Sequence, residues 1–242
     1  MSSNQKQYSS YHFLPINIDE FVTILPRKLL KNDYFIENFD VRNELPLFCF
    51  ISTLLLNEKN NNFVKGDSIT IKYSTLRNFL RKKCHSDKKE YLDEVVLKFF
   101  NKLKNNSEKV FFNIFKVDTT KVEISFSKKY LKLLEKNTVS FNLYNITKTR
   151  GVKAKKLFLK IISYDMRDTN QRFFTLKSIS KYLDLDCFLH RKKTIRTIKR
   201  AFKSLSLKSL ITSMEYIGIN KNDIGNNYRF VYKLGILRQQ TI

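Results

Sequence analysis

The stretch RKKTIRTIKRAFK, residues 191–203, carries seven basic side chains (Arg191, Lys192, Lys193, Arg196, Lys199, Arg200 and Lys203) and no acidic one. Ile195, Ile198, Ala201 and Phe202 fall between them at the three- and four-residue steps of one helix face. A helix buried through these apolar residues presents Lys192, Arg196, Lys199 and Lys203 as one ridge toward a phosphate-rich partner. Taken alone, such a helix reads equally as a solvated surface element. The rest of the chain decides between the two.

The 242 residues carry a formal charge of +24, with 42% hydrophobic and 14% aromatic residues. That is enough apolar material for one large or two small cores and too much for a disordered chain. A polyanionic partner is the first expectation from the charge, nucleic acid ahead of an anionic membrane surface. Residues 1–126 hold 20 Lys and Arg against 15 Asp and Glu, a net of +5, whereas residues 127–242 hold 26 against 7, a net of +19. The partner is therefore expected on the C-terminal half. Of the 46 basic residues 34 are lysine, and Asn, Ile, Phe and Tyr are abundant. An AT-rich genome produces that usage, but it does not explain the scarcity of carboxylates after residue 127.

Cys49, Cys84 and Cys187 are dispersed and form no CxxC spacing, so neither a disulfide framework nor a zinc site is indicated. The longest apolar run, Leu45 to Leu56, is interrupted by Pro46, Ser52 and Thr53 and is shorter than the roughly 20 residues of a bilayer span. The polar start, Met1 to Ser10, has no hydrophobic signal core. A reduced, cytoplasmic protein without membrane insertion is expected.

Periodicity predicts a helix over 46–57, a short strand and helix over 69–81, a helix over 87–104, and strands over 110–117 and 121–126. The same order recurs with helices over 153–164, 174–183 and 190–207 and strands near 211–217 and 228–234. An offset of 103 pairs Leu54 with Leu157, Leu76 with Ile179, Leu80 with Leu183, Leu92 with Ile195, Val95 with Ile198 and Phe99 with Phe202. The expected fold is α+β and helix-rich: two tandem winged-helix domains related by a pseudo-repeat, each with three helices and a β-hairpin wing. The third helix of the first copy carries Asp87, Glu90, Asp93 and Glu94, so only its partner is dressed for phosphate. The expected division is an N-terminal arm over 1–40, a first domain over 41–126 and a main DNA-binding domain over 127–242.

Around the basic helix, the wing tip is expected at residues 220–227, with Gly225 suited to positive φ, and Arg229 just inside the returning strand is a candidate phosphate contact. Arg150, Lys153, Lys155 and Lys156 crowd the entry to the second copy's first helix and join the candidate DNA-binding set. Ser127 is a plausible N-cap for a helix over 127–134, whose Lys128, Lys129 and Lys132 line one side with Lys136.

The segments VEISFSKKYLKLLE (122–135), SFNLYNI (140–146), KKLFLKIISY (155–164) and FTLKSISKYLDL (174–185) resemble the iteron-binding plasmid replication initiators of the theta type. The resemblance covers roughly 120–242, is only architectural over 40–120, and does not reach the first 40 residues. It places the helix from Arg191 where that family's recognition helix lies. The family often has an aromatic and acidic pair just before that helix and a proline within it; here the lead-in is Asp186-Cys-Phe-Leu-His and the helix has no proline. What the resemblance implies is a protein that binds direct repeats of double-stranded DNA at a plasmid origin, helps open the origin, and recruits the host initiator and helicase machinery. It further implies a homodimer formed through the first domain, which also gives auxiliary DNA contact, and repression of the protein's own gene.

No enzymatic constellation is expected. His12, His85 and His190 form no His-hydrophobic-His pair, there is no GxxxxGK[ST] loop, and the carboxylate pairs Asp93/Glu94 and Asp184/Asp186 flank apolar helices or their caps. No cofactor or metal is expected. The rival readings are a winged-helix transcriptional repressor and an architectural nucleic-acid-binding protein that tracks backbone without reading sequence.

Overall fold

The computed structural model describes residues 22–60, 68–81, 88–105, 111–117, 120–164, 172–206, 211–218 and 228–234. The elements of the first part are β1 (Val22–Pro26), α1 (Arg27–Lys31), α2 (Tyr34–Asn38), α3 (Glu44–Asn60), β2 (Ile69–Lys72), α4 (Tyr73–Arg81), α5 (Lys89–Asn105), β3 (Phe112–Val117) and β4 (Lys121–Phe126). There follow α6 (Lys128–Leu134), β5 (Thr138–Asn142), α7 (Leu143–Lys148), α8 (Val152–Ser163), β6 (Arg172–Thr175), α9 (Leu176–Tyr182), α10 (Arg191–Ser206), β7 (Ile211–Ile217) and β8 (Arg229–Leu234). The chain is α+β and helix-rich, with small antiparallel sheets.

Two compact units divide the chain, one made of residues 1–28 and 38–147, the other of 29–37 and 148–242. The expected break after Phe126 is thus corrected to 147/148. The reason is β5, which pairs antiparallel with β1 from Val22 opposite Asn142 to Pro26 opposite Thr138 and so ties residues 127–147 into the first unit. The expected arm over 1–40 is split likewise: β1 belongs to the first unit and Leu29–Glu37 to the second, while residues 1–21 lie outside the described residues.

In the first unit, residues 45–55 of α3 are buried on every side, among them Leu45, Leu47, Phe48, Cys49, Phe50 and Ile51. Its start is fixed by a reciprocal cap: the Asp40 carboxylate accepts the Arg42 and Asn43 amides, each at 3.1 Å, and the Asp40 amide donates to Glu44 at 2.8 Å. Pro46 falls in the first turn, where a missing N–H is tolerated. Rings surround the helix, with Phe48 edge-on to Phe111 at 4.9 Å and Phe50 stacked on Phe79 at 4.2 Å. The buried hydroxyls of Thr23 and Thr53 are hydrogen-bonded at 2.8 Å, and Thr53 donates onward to the Cys49 carbonyl. The sheet of this unit has the order β2-β4-β3. Ser127 caps α6 as expected, its hydroxyl accepting the Tyr130 amide at 3.0 Å.

The second unit has the sheet order β6-β8-β7, with α8, α9 and α10 packed beside it. Phe230 and Tyr232 on β8 are buried, and Phe202 of α10 lies 5.9 Å and 5.6 Å from their ring centres. Phe174 on β6 stacks on Tyr232 at 5.2 Å. Thr175 ends β6 and caps α9, accepting the Ser178 amide at 3.1 Å, so the helix predicted to start at Phe174 begins instead at Leu176. Asp33, in the left-handed region at φ 57°, accepts a hydrogen bond from Lys160 of α8 at 3.3 Å and helps fasten the Leu29–Glu37 segment.

Both units follow strand, helix, helix, strand, strand, and the offset of 103 holds for α4 and α9: buried Leu76 and Leu80 correspond to buried Ile179 and Leu183. It fails by one residue in the next helix. The buried stripe of α5 is Leu92, Val96, Phe99, Phe100 and Leu103, and that of α10 is Thr194, Ile198, Ala201, Phe202 and Leu205, an offset of 102 throughout. The connection between the buried ends of the two helices is one residue shorter in the second unit, and one residue turns a helix face by 100°. The pairings Leu92–Ile195, Val95–Ile198 and Phe99–Phe202 are therefore corrected to Leu92–Thr194, Val96–Ile198 and Phe100–Phe202.

Phe202→Ala removes the ring that joins α10 to β8, and such truncations cost about 3–5 kcal/mol. Urea unfolding followed by circular dichroism should show that loss, while Lys203→Ala on the exposed side stays within about 0.5 kcal/mol of wild type.

Candidate nucleic-acid interface

α10 is assembled from its N-terminal turn. The Asp186 carboxylate accepts the amides of Phe188 and Leu189, both at 2.8 Å, and these bonds hold its pKa below the ordinary carboxylate value. Thr194 in the first turn is buried and donates its hydroxyl to the Asp186 carbonyl at 2.7 Å, while its amide donates to the His190 carbonyl at 2.9 Å. The helix is thereby joined to the loop before it.

With Thr194, Ile198, Ala201, Phe202 and Leu205 inward, Arg191, Lys192, Lys193, Arg196, Lys199, Arg200 and Lys203 are all exposed. Lys192, Arg196, Lys199 and Lys203 form the expected ridge, with Lys193 and Arg200 beside it. Among the described residues none of the seven forms an ion pair. The contrast with α5 is direct, since there Asp93 takes both its oxygens to Arg77 at 2.8 and 2.9 Å and Glu94 pairs with Lys98 at 2.7 Å.

The hairpin strands brace this helix through aromatic rings. Tyr216 on β7 and Tyr228 just before β8 stack with centres 6.0 Å apart and planes 9° apart. The Arg191 guanidinium lies 3.8 Å from the Tyr228 ring centre and the Lys199 ammonium 5.1 Å from that of Tyr216. Gly218 lies against this stack, where a Cβ would come 3.3 Å from the Tyr228 ring and the ring would have to give by a few tenths of an ångström. Partial burial pushes the Tyr216 phenol up, against the pull of the Arg191 charge. Sequence reading missed both tyrosines; their signal was an aromatic on each side of the hairpin turn. The expected wing tip, residues 220–227 with Gly225, lies outside the described residues.

Arg229 is exposed at the start of β8, 4.5 Å from the Phe173 ring centre. Alternation along β8 puts it on the sheet face opposite Phe230, so it does not extend the α10 surface. Arg150 is exposed, and its carbonyl accepts a hydrogen bond from Ser204 of α10 at 3.4 Å, which brings its loop to the C-terminal turn of the helix.

The three lysines of α8 are held within their unit and do not form the open cluster expected at the entry to this helix. Lys155 is buried, at 7% exposure. Lys156 pairs with the Asp184 carboxylate at 2.5 Å, and Lys153 donates to the Leu183 carbonyl and lies 3.8 Å from that carboxylate. Burial pushes the Lys153 ammonium down and Lys156 holds the Asp184 carboxyl low. Their spacing resembles that of a surface patch, but the loop after α9, with Asp184 in the left-handed region at φ 50°, turns back onto Lys153 and Lys156. Lys128, Lys129, Lys132 and Lys136 are exposed in the first unit.

Of the other candidates, Cys49 is buried, Cys187 half-buried and His190 exposed; Cys84, His85 and His12 lie outside the described residues. Among the described residues no cluster of three or more His, Cys, Asp or Glu is arranged to hold a metal, and no helix is long and apolar enough to cross a membrane.

An α+β, helix-rich chain with a cationic helix braced against a hairpin is thus defined. No family model and no curated protein sequence matches it. Among solved structures it is similar to the Pi initiator protein crystallised in complex with iteron DNA, at a TM-score of 0.61 and 11% identity, over 90% of this chain and 99% of that one. At that identity the likeness establishes a shared fold.

The Lys156–Asp184 pair has a pH signature. Because the folded carboxyl sits below its ordinary value near 3.8, the pair's contribution is complete above that value and is lost as pH falls through the lower folded one. Asp184→Asn should therefore flatten the acid limb of thermal stability against pH. Lys156→Met should lower the melting temperature and leave the slope of duplex-DNA affinity against salt unchanged; a slope shallower by about 1 would return this lysine to the phosphate-contacting set.

Proposed function

We propose that the protein is a sequence-specific DNA-binding initiator of plasmid replication, with α10 as recognition helix in the major groove and the β7–β8 hairpin as the wing of a winged helix. The observation that carries this reading is the α10 face of seven exposed cations without an ion pair, in a fold shared with a protein crystallised on iteron DNA. Nothing in this reading needs a catalytic group, a metal or a cofactor. The protein acts in the cytoplasm on origin repeats, helps to open the origin, and recruits the host initiator and helicase machinery. The first unit is assigned to homodimerisation and auxiliary DNA contact, and binding near its own promoter to autorepression.

Footprinting the full chain on the DNA flanking its own gene tests the reading. Protection of several evenly spaced direct repeats is the expected result. A single inverted repeat would favour a repressor, and protection without discrete sites an architectural protein. Within the repeats, Arg196→Ala should weaken specific binding by about 1–3 kcal/mol if the guanidinium reads a base edge. If it holds phosphate, affinity falls alike for all sequences and the salt slope drops by about 1. Lys98→Gln on α5, already ion-paired with Glu94, should leave both quantities near wild type.

A further inference from the structure

Phe188 and Leu189 are each 78% exposed, and they are adjacent. The other large apolar side chains exposed among the described residues, such as Phe173 at 51% and Leu97 at 41%, keep about half their surface covered. Burying apolar surface is favourable, so a neighbouring pair left in water points to a contact made elsewhere.

The pair is held in place. Both amides are tied to the Asp186 carboxylate, and the Asp186 carbonyl is tied to Thr194 inside α10. On the other side Asp184 is fastened to Lys156. The backbone that displays the two side chains is therefore already ordered, and a ligand that covers them pays little for ordering it.

The surroundings select the ligand. His190, Arg191, Lys192 and Lys193 follow immediately, and the two nearest acids, Asp184 and Asp186, are taken up by an ammonium and by backbone amides. A polyanion is favoured over an apolar protein groove, which would have to desolvate these cations. Phe188 and Leu189 lie in the turn that enters α10, beside the N-terminal end from which a recognition helix addresses base edges, and the apolar group on the major-groove edge is the thymine methyl.

We propose that Phe188 and Leu189 pack on thymine methyl groups in the major groove and set sequence preference at those positions. The proposal rests on the reading of α10 as a recognition helix. It adds an apolar determinant to the cationic ridge.

The test uses the full-length protein and a duplex that it selects from a random-sequence pool. Each thymine of the selected site is replaced in turn by deoxyuridine, which lacks only the methyl group. Wild type should lose about fourfold in affinity at one or two positions. Phe188→Ser/Leu189→Ser should bind the thymine duplex about tenfold more weakly and lose nothing further with deoxyuridine at those positions. Its melting temperature and salt slope should match wild type, since both side chains are exposed and uncharged. A double variant that keeps wild-type affinity, or the same sensitivity to deoxyuridine, overturns the proposal. So does one that changes only the oligomeric state, which would assign the pair to a second copy of the chain. If wild type itself selects no sequence, the reading of α10 fails before any variant is compared, and the two failures are told apart.

Discussion

The packing of Phe202 on Phe230 and Tyr232 sets the rotation of α10 about its own axis. Ile198, one turn earlier, and Leu205, one turn later, are fully buried with it, so the stripe is continuous along the helix. A turn of 100° in either direction would drive Arg200 or Lys199 toward the interior, and an unpaired buried charge costs several kcal/mol. The hydrophobic face does not merely tolerate a cationic face opposite it. It forces every basic residue of the segment into water, and the register of Phe230 and Tyr232 on β8 fixes where that surface points within the unit.

The two units share an order of elements and differ in what coats the third helix. On α5 the charges are balanced, with Arg77 on Asp93 and Lys98 on Glu94, and the surface is close to self-satisfied. On α10 the nearest partners are rings, so charge is steered in place without being neutralised. A guanidinium over Tyr228 keeps its full positive charge and loses some conformational freedom. Arg191 and Lys199 are thus pre-positioned, whereas the remaining five cations are fixed only by their place on the helix.

Much of this was legible in the chain because it depends on local periodicity. The apolar steps through Ile198, Ala201 and Phe202, the alternation of 121–126 and the capping serine at 127 all lie within a few residues of the structure they specify. What was not legible depends on partners far away in sequence. β1 and β5 are short and unremarkable until paired across more than a hundred residues, and the domain boundary moves with them. Lys153 and Lys156 look like solvated cations until the backbone turns at Asp184 and carries a carboxylate to them. The change of offset from 103 to 102 has the same origin: a loop one residue shorter rotates the next helix, and side-chain pairing by sequence alone cannot register it.

Chain connectivity also constrains how the protein is made. Each unit is assembled from two separated pieces, since residues 29–37 belong with 148–242 and residues 1–28 with 38–147. During vectorial synthesis the first unit cannot close until β5 has emerged to receive β1. Leu29, Leu30 and Phe35, which end up buried, emerge more than a hundred residues ahead of the α8 that carries their unit's Lys160. The interleaving makes late completion a property of both halves, so a chain released before β5 has been made holds neither half in finished form. The fragment 148–242 likewise lacks Leu29–Glu37, which belong to its own unit.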